Sequence, residues 1–270
     1  MLLQTELIMV RCALRVFGLV FVFLNGFSRF ELARADWDWR AGAAGRSLPI
    51  GAAAIAEVGY GHLLWGESGP GKVIYGFVRP FIRYQGVGLA NRGDIGIDFN
   101  PVSFVQFRTG LRSRYRILGN FDTIDCQTAN CRGLLTSPFA VGRVLMGWKD
   151  LIVMAAYGAE RITQADPSRR FGEEMSSLYG NAAGDTMTLT DITLVYRFNE
   201  TWGVGAVFQS NRMQEYGSSN FFQGAFVRRE WGQWSGLVGL GTYESSTKSP
   251  LGGLAFFQFE YRGTSSLLLN

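Results

Sequence analysis

A glycine-rich segment near position 70 has the spacing of a phosphate-binding loop. Gly66 and Gly71-Lys72 fit the pattern G-x-x-x-x-G-K, in which backbone N–H groups hold phosphates and the lysine reaches the terminal ones. Val73 stands where the pattern needs a hydroxyl for magnesium. The residues that follow alternate like a strand, whereas the site needs a helix whose N-terminus faces the phosphates. We therefore expect no nucleotide cofactor and interpret the segment as a glycine-rich outer loop.

His62 is the only histidine of the chain, and histidine is the side chain best suited to general-base chemistry near neutral pH. Its candidate partners are Ser68 and Glu57. In a regular strand Glu57 and His62 point to opposite faces, and no further partner group can be identified. We place His62 near the outer end of the first strand and expect an interfacial histidine beside Tyr60 and Trp65.

Two other residue pairs could carry chemistry. Cys126 and Cys131 lie in a polar segment, and nothing near them completes the four ligands of a metal site. We expect a disulfide that staples a loop, with two free thiols as the alternative. Glu173 and Glu174 lie in the polar segment Gln164–Asp185, and we interpret them as solvated.

Charged side chains recur on one face of the predicted strands. In the segment from Val102 to Arg116, one face carries Arg108, Arg112, Arg114 and Arg116, interrupted only by Gly110, and the other face carries Val105, Phe107 and Leu111. If the apolar face contacts lipid, the charged face lines a lumen. The predicted lumen-lining charges are Glu57, Arg79, Arg83, Asp98, Arg108, Arg112, Arg114, Arg143, Asp191, Arg197, Glu244 and Glu260.

Two interpretations of these charges compete. Charges buried in a lumen must pair, so they can form a network that fills and stiffens a narrow barrel. An arginine-rich lining can instead favour anions in a small channel. The filled lumen is the first interpretation, because open water-filled pores use about 16 to 18 strands.

The charged faces lie on strands that recur along the chain. From Ile50 onward, alternating segments of about ten residues are separated by turn signals, as in a membrane β-barrel. Counting them predicts about ten strands, with twelve as the alternative. Twelve follows if Asp36–Arg46 is a strand and Pro101 separates two strands within Asp94–Arg116, since proline removes a ladder N–H group.

Tryptophans collect at the ends of these segments. Indole rings favour the headgroup layer of a membrane, and a transmembrane barrel carries aromatic girdles at its interfaces. Beside Trp37 and Trp39, the predicted girdle consists of Trp65, Trp148, Trp202, Trp231 and Trp234.

The N-terminus has the three parts of an export signal. Arg11 and Arg15 are followed by the apolar run Val16–Leu24 and by the cleavage pattern Ala33-Arg34-Ala35. The run is too short for a membrane-spanning helix, which needs about 20 residues. We predict a signal peptide at 1–35 and one barrel domain at 36–270.

The last strand resembles the C-terminal assembly signal of bacterial outer-membrane β-barrel proteins. In Gly252–Tyr261 a glycine precedes alternating aromatic residues. The resemblance is to the class and to no specific family, and it covers nearly all of the mature chain. It implies a location in the outer membrane of a Gram-negative bacterium, contact with outer-membrane lipid and insertion by the outer-membrane assembly machinery. The chain departs from the pattern, because Arg262–Asn270 follow the last aromatic residue.

These features predict an all-β, antiparallel, up-and-down transmembrane barrel with a charged, largely filled lumen. Its expected role is structural or in surface interaction. A small, anion-preferring channel is the alternative, and a lipid-modifying hydrolase that uses His62 is the third; we assign no catalytic residue. The 26 basic residues are spread along the chain and give no support for a nucleic-acid partner. No metal or other cofactor is expected, the external ligand is not determined, and a soluble, lipocalin-like barrel stays open.

Overall fold

The computed structural model describes residues 35–68, 74–86, 90–117, 124–247 and 249–263. The predicted signal peptide lies outside these residues, except for Ala35, which begins the first strand. No helix among them is long and apolar enough to cross a membrane. The strands are β1 (Ala35–Ser47), β2 (Ile50–Gly66), β3 (Tyr75–Gly86), β4 (Ala90–Val102), β5 (Val105–Ile117), β6 (Arg132–Trp148), β7 (Leu151–Gln164), β8 (Phe171–Glu173), β9 (Leu178–Gly180), β10 (Asp185–Arg197), β11 (Trp202–Met213), β12 (Ser219–Trp231), β13 (Trp234–Ser245) and β14 (Ser249–Arg262).

Twelve of these strands close an antiparallel barrel, and β8 and β9 form a separate hairpin between β7 and β10. The prediction of about ten strands is therefore wrong, and the alternative of twelve is confirmed. The chain turns at Ser103-Phe104, so the segment Asp94–Arg116 contains parts of two strands. β1 supplies the other strand and pairs with both β2 and β14, which closes the barrel.

The two added strands decide which end each loop occupies. The short turns at Lys149-Asp150, Asn199–Thr201 and Gly232-Gln233 lie at the same end as both termini of the barrel. Short turns are a feature of the periplasmic side, and we name the two ends periplasmic and outer accordingly. β2 also finishes at the periplasmic end, so the prediction that His62 lies near the outer end is wrong. The glycine-rich segment starts at this same end with Gly66, which contradicts an outer loop; its residues 69–72 lie outside the described residues.

The two faces of the barrel differ in chemistry. On the outer face, Phe107, Val238 and Leu240 are 52%, 63% and 72% exposed, whereas the charged Arg79 and Asp98 on the inner face are almost fully buried. A soluble barrel would turn its apolar face inward. This orientation, with a continuous apolar exterior, is that of a β-barrel in a bacterial outer membrane.

All seven tryptophans lie at the periplasmic end of the barrel. They are exposed, and several contact other aromatic rings: Trp37 lies 5.0 Å from Tyr60, and Trp234 lies 4.6 Å from Tyr261 between ring centroids. The Arg229 guanidinium lies 5.1 Å from the Trp202 ring, a cation–π distance. The tryptophans thus mark one membrane interface.

The hairpin β8–β9 packs into the outer mouth of the barrel. Phe171 and Leu178 are fully buried and belong to one apolar cluster with the lumen-facing side chains Leu135, Ile162 and Met213. The hairpin tip carries hydrogen bonds to the opposite wall. The Ser176 carbonyl accepts from the Tyr243 hydroxyl at 2.8 Å and from the amide of Asn220, and the Ser177 carbonyl accepts from Thr247 at 3.0 Å.

A second outer loop covers this hairpin. Cys126 and Cys131 are joined by a disulfide, as predicted. The loop they close packs on the hairpin, since Tyr179 of β9 belongs to one buried cluster with Ile124 and Cys131. The Asn130 N–H also donates to the Arg170 carbonyl at 2.7 Å. The outer mouth is thus filled by two loops that hold each other in place.

Candidate functional site

An ionic belt crosses the inner face of five adjacent strands, β1 to β5. Arg79 is at its centre and donates from Nε to Asp38 at 2.7 Å and from Nη1 to Glu57 at 2.8 Å and to Asp98 at 3.0 Å. The arginines on either side of Arg79 bond two of the same carboxylates: Arg40 donates to Glu57 at 2.7 Å, and Arg108 donates to Asp98 at 2.6 Å. The belt consists of Asp38, Arg40, Glu57, Arg79, Asp98 and Arg108, so its three arginines balance its three carboxylates.

The strand register places these side chains side by side. Arg40 lies opposite Glu57, Arg79 opposite Asp98, and Asp98 opposite Arg108. Gly59 makes room for the central guanidinium: a Cβ atom there would lie 2.3 Å from Nε of Arg79. The belt therefore needs a glycine as well as its charges.

A second group of charges, the outer ion cluster, lies nearer the outer mouth. The Arg112 guanidinium bonds Asp94 at 2.9 Å and also Glu160, which in turn accepts from Arg114. Arg92 bonds Asp94 at 2.7 Å. This cluster connects β4, β5 and β7 and continues into the hairpin through Arg114.

The hairpin carboxylates contradict the prediction of solvated loop residues. Glu173 is fully buried, 3.7 Å from Nε of Arg114, and Glu174 lies 3.9 Å from the same atom. Burial, followed by the repulsion of Glu173, raises the pKa of Glu174 despite the opposing influence of Arg114. The polar composition of the loop concealed that the chain folds back into the barrel.

The opposite wall, β11 to β14, has a different inner face. Lumen-facing glycines recur along it, and phenylalanine rings pack against the backbone at these glycines. A Cβ atom at Gly205 would lie 2.4 Å from the Phe226 ring, and one at Gly239 would lie 2.4 Å from the Phe256 ring. Phe222 packs edge-on against Phe256 with 5.2 Å between centroids. We call this the phenylalanine–glycine wall; it is thin, so it leaves space in the lumen.

A cavity of about 950 Å³ occupies that space, within the range of about 300–1,000 Å³ that is usual for ligand pockets. Three carboxylic acids line it: Asp94, Glu174 and Asp191. The arginines that line it number eight: Arg46, Arg83, Arg92, Arg108, Arg112, Arg143, Arg228 and Arg262. Five of these arginines pair with carboxylates, so the unpaired positive charge of the lining belongs to the other three.

Three of these arginines have no carboxylate partner among the described residues. Arg46 donates to the Met175 carbonyl of the hairpin tip, and Arg143 donates to Gln106 at 3.1 Å. Arg83 has no hydrogen-bond partner in the part of the chain that the structure describes. The Nε atoms of Arg83 and Arg143 are buried and unpaired within that same part. An unpaired buried cation favours an anion beside it.

The structure places most of the predicted lumen charges on the inner face. Besides the members of the belt and the outer ion cluster, Arg83, Arg143 and Asp191 line the cavity, and the strand alternation puts Arg197 and Glu260 on the same side. The belt and the outer ion cluster are separate groups, so the charges do not form one network.

Glu244 is the exception, and its prediction is wrong. It lies opposite Phe221 on the outer face, where both side chains are exposed. The inner face of β13 carries Gly239, Gly241 and Tyr243. Because glycines give no polar or apolar signal, the sequence alternation in this strand does not reveal which face is inside.

Sequence reasoning missed several charges of the site. Asp38 and Arg40 alternate with Trp37 and Trp39, a signal strong enough to have placed them opposite the girdle. Asp94 shares its face with Asp98 and could have been found by parity. Glu160 lies in β7, where most neighbours are small or apolar, and only its contacts reveal its role.

No catalytic arrangement forms around His62 among the described residues. His62 lies opposite Val78 on the outer face, whereas Glu57 points into the lumen as part of the belt. The Nδ1 atom of His62 is buried without a described hydrogen-bond partner. The geometry gives no support for a hydrolase.

No protein-family model and no curated protein matches the sequence. Solved structures with a similar course of the chain include a NanC porin (10% identity, 84% of this chain and 99% of that one, TM-score 0.44) and a KdgM porin (9%, 83% and 98%, 0.41). Another is the translocator domain of the autotransporter NalP from Neisseria meningitidis (16%, 94% and 97%, 0.40). Likenesses this distant do not assign a role to the chain.

Proposed function

We propose that this outer-membrane barrel admits small anions into its lumen and that the hairpin β8–β9 restricts their passage at the outer mouth. The observation that carries the proposal is the lining of the cavity, in which Arg46, Arg83 and Arg143 have no carboxylate partner among the described residues. A pore lined by arginine attracts anions and repels cations.

A purely structural role explains the belt better than it explains the cavity. In the belt every guanidinium has a carboxylate partner, as a network that only stiffens the wall requires. Arg83 and Arg143 have none among the described residues, and a buried, unpaired charge destabilises the fold. Arginines kept at such a cost are typical of a binding site for anions.

The hairpin supports the second half of the proposal. It crosses the outer mouth and is held on one side by apolar packing and on the other by hydrogen bonds from Tyr243 and Thr247. These contacts leave the cavity below it unfilled. We therefore expect a small or intermittent conductance.

Ion selectivity in planar bilayers tests the proposal. Under a KCl gradient we expect the natural protein to give a reversal potential with the sign of the chloride equilibrium potential. Combining Arg83→Gln with Arg143→Gln should move this reversal potential toward zero. Arg161→Gln, at an exposed ion pair with Glu215 on the outer face, is the matched control and leaves the potential unchanged. Cation selectivity, or a current that the double variant does not alter, contradicts the proposal.

The hairpin has its own test. Replacing Phe171–Gly180 with a short Gly-Ser linker removes the obstruction but keeps the arginine lining. We expect a larger conductance with the same preference for anions. An unchanged conductance would show that the hairpin does not restrict passage.

A further inference from the structure

The barrel wall has a notch at its outer end, beside the strands that close it. β1 and β14 pair from Arg40 opposite Arg262 to Arg46 opposite Phe256, and β1 then ends at Ser47. The Ser47 hydroxyl accepts a hydrogen bond from the Ala255 N–H at 2.9 Å, the last one between β1 and β14. β14 continues beyond this point to Ser249 with β13 as its paired neighbour. We call the gap between the β1–β2 turn and this part of β14 the notch.

The notch lies at the depth of the membrane. Ser47 is eight residues beyond Trp39 of the periplasmic interface, which corresponds to roughly 20 Å along the membrane normal for a strand tilted by about 40°. The apolar band of such barrels is about 25 Å tall. The β1–β2 turn suits a position in the apolar band, because its residues Leu48-Pro49-Ile50 are apolar and Ile50 is 76% exposed.

The cavity reaches the outer surface through the notch. Its lining includes Arg46 and Phe256 of the inner face together with Ile50 and Phe257 of the outer face. Irregular backbone at membrane depth is tolerated where it lines a cavity, and the β1–β2 turn does so. The lumen therefore has an opening toward the outer leaflet.

The interior that this opening reaches is amphipathic. Arg83 and Arg143 project from β3 and β6, and the phenylalanine–glycine wall contributes Phe222, Leu237 and Phe256 to the same cavity. We propose that the cavity binds an anionic amphiphile from the outer leaflet. Its hydrocarbon chain lies on the phenylalanine–glycine wall and its phosphate or carboxylate headgroup on the unpaired arginines. This inference rests on the proposed anion-binding lumen and names the class of anion.

Photo-cross-linking in phosphatidylcholine nanodiscs tests this inference. The probe is a dodecyl phosphate with a photoreactive group on its chain, and the adducts are mapped by mass spectrometry. We expect adducts on Phe222, Leu237 or Leu254 in the lumen. Excess dodecyl phosphate removes them, whereas inorganic phosphate and uncharged dodecyl maltoside do not. Adducts confined to the lipid-facing residues Val238 and Leu240 would overturn the inference.

The notch is tested with a matched pair of glycine variants. A Cβ atom at Gly51, which lies opposite Arg46 on the inner face beside the turn, would have open space within 4 Å, and the same holds at Gly147 on the inner face near the periplasmic end of β6. Gly51→Trp should block the inner side of the notch and reduce lumen adducts about tenfold. Gly147→Trp, outside the cavity lining, should leave them unchanged. Equal adduct yields in both variants would overturn entry through the notch.

The two proposals fail in different ways. Reversal potentials are measured on the same preparations. Anion selectivity without lumen adducts overturns the amphiphile and leaves the small-anion proposal intact. Loss of anion selectivity as well as of lumen adducts overturns both.

Discussion

The two sides of the lumen differ in the side chains that cover their inner faces. On the side of β1 to β5 the inner face is filled by long charged side chains that pair with one another and with Glu160 of β7, and Arg79 and Arg114 are almost fully buried. From β11 to β14 the inner face carries several glycines with phenylalanine rings packed against them, and fewer charged side chains. The first side is fixed by paired charges, and the second carries more small and apolar side chains. The cavity is lined by the unpaired Arg83 and Arg143 of β3 and β6 and by Phe222, Leu237 and Phe256 of the phenylalanine–glycine wall.

The two walls should also differ in rigidity. A buried ion network gives little net stability, but removing one partner leaves the others uncompensated. Rings on glycine backbone have a neighbour on one side and open space on the other, so they can move. We expect the charged wall to be the more sensitive to substitution and the phenylalanine–glycine wall to be the more tolerant.

The largest effect is expected in the belt. Arg79→Gln removes the cation shared by Asp38, Glu57 and Asp98 and should lower the free energy of unfolding by about 3–5 kcal/mol. Urea titration in detergent, followed by heat-modifiable gel migration, measures it. Arg161→Gln, at an exposed ion pair, is the control and should cost at most about 1 kcal/mol. Equal losses would show that the belt does not hold the charged wall together.

A pair of glycine substitutions compares the walls directly. Gly59→Ala places a methyl group against the Arg79 guanidinium, which three carboxylates hold in place, so we expect a loss of about 1–3 kcal/mol. At Gly224 the new methyl group meets the edge of the Phe256 ring at 2.7 Å and the backbone carbonyl oxygen of Leu240 at the less severe distance of 3.0 Å. That ring borders the cavity and can turn, so Gly224→Ala should cost less than Gly59→Ala in the same titration. The reverse order would contradict the contrast in rigidity.

Arg83 should behave unlike Arg79 although both face the lumen. Because Arg83 has no hydrogen-bond partner among the described residues, Arg83→Gln should change the free energy of unfolding by no more than about 1 kcal/mol, with stabilisation the favoured direction. The substitution should still weaken anion selectivity. A loss of stability comparable to that of Arg79→Gln would mean that Arg83 belongs to the belt.

The smallest effect concerns pH and the hairpin. The raised pKa of Glu174 means that the folded state binds a proton more readily than the unfolded state, so stability falls as pH rises from the unfolded value through the folded one. Trypsin cleavage after Arg169 or Arg170 should therefore slow as pH is lowered through that window, after correction for the activity of the protease. Glu174→Gln should abolish this dependence. A pH dependence that persists in the variant would assign it to another group.

Much of this architecture could be predicted from residue patterns. The alternation of Arg108, Arg112 and Arg114 with Phe107 and Leu111 predicts the inner and outer faces of β5, because side chains on a strand alternate with period two. Pro101 marks the junction that separates ten strands from twelve. The disulfide between Cys126 and Cys131 followed from the export signal, because an even pair of cysteines in an oxidising compartment is expected to be bonded.

Other features could not be predicted from the sequence, for physical reasons. The end occupied by His62 and by the glycine-rich segment depends on the parity of the strand count, so one merged pair of strands reversed it. Glu244 was misplaced because the inward positions of β13 carry Gly239 and Gly241, which have no side chain to mark a face. Glu173 appeared solvated because local polarity does not reveal that a loop folds back into the barrel.

The sequence by itself determined the alternation of most barrel strands, the charged and apolar faces that this alternation creates, and the girdle, since these depend on neighbours along the chain. Tertiary structure decided which charges pair, which remain unpaired, and where the cavity opens. Those outcomes depend on the register between strands distant in sequence, such as β1 and β14, and on a hairpin packed inside the barrel. A charge at one position has no partner until closure of the barrel brings the other strands beside it.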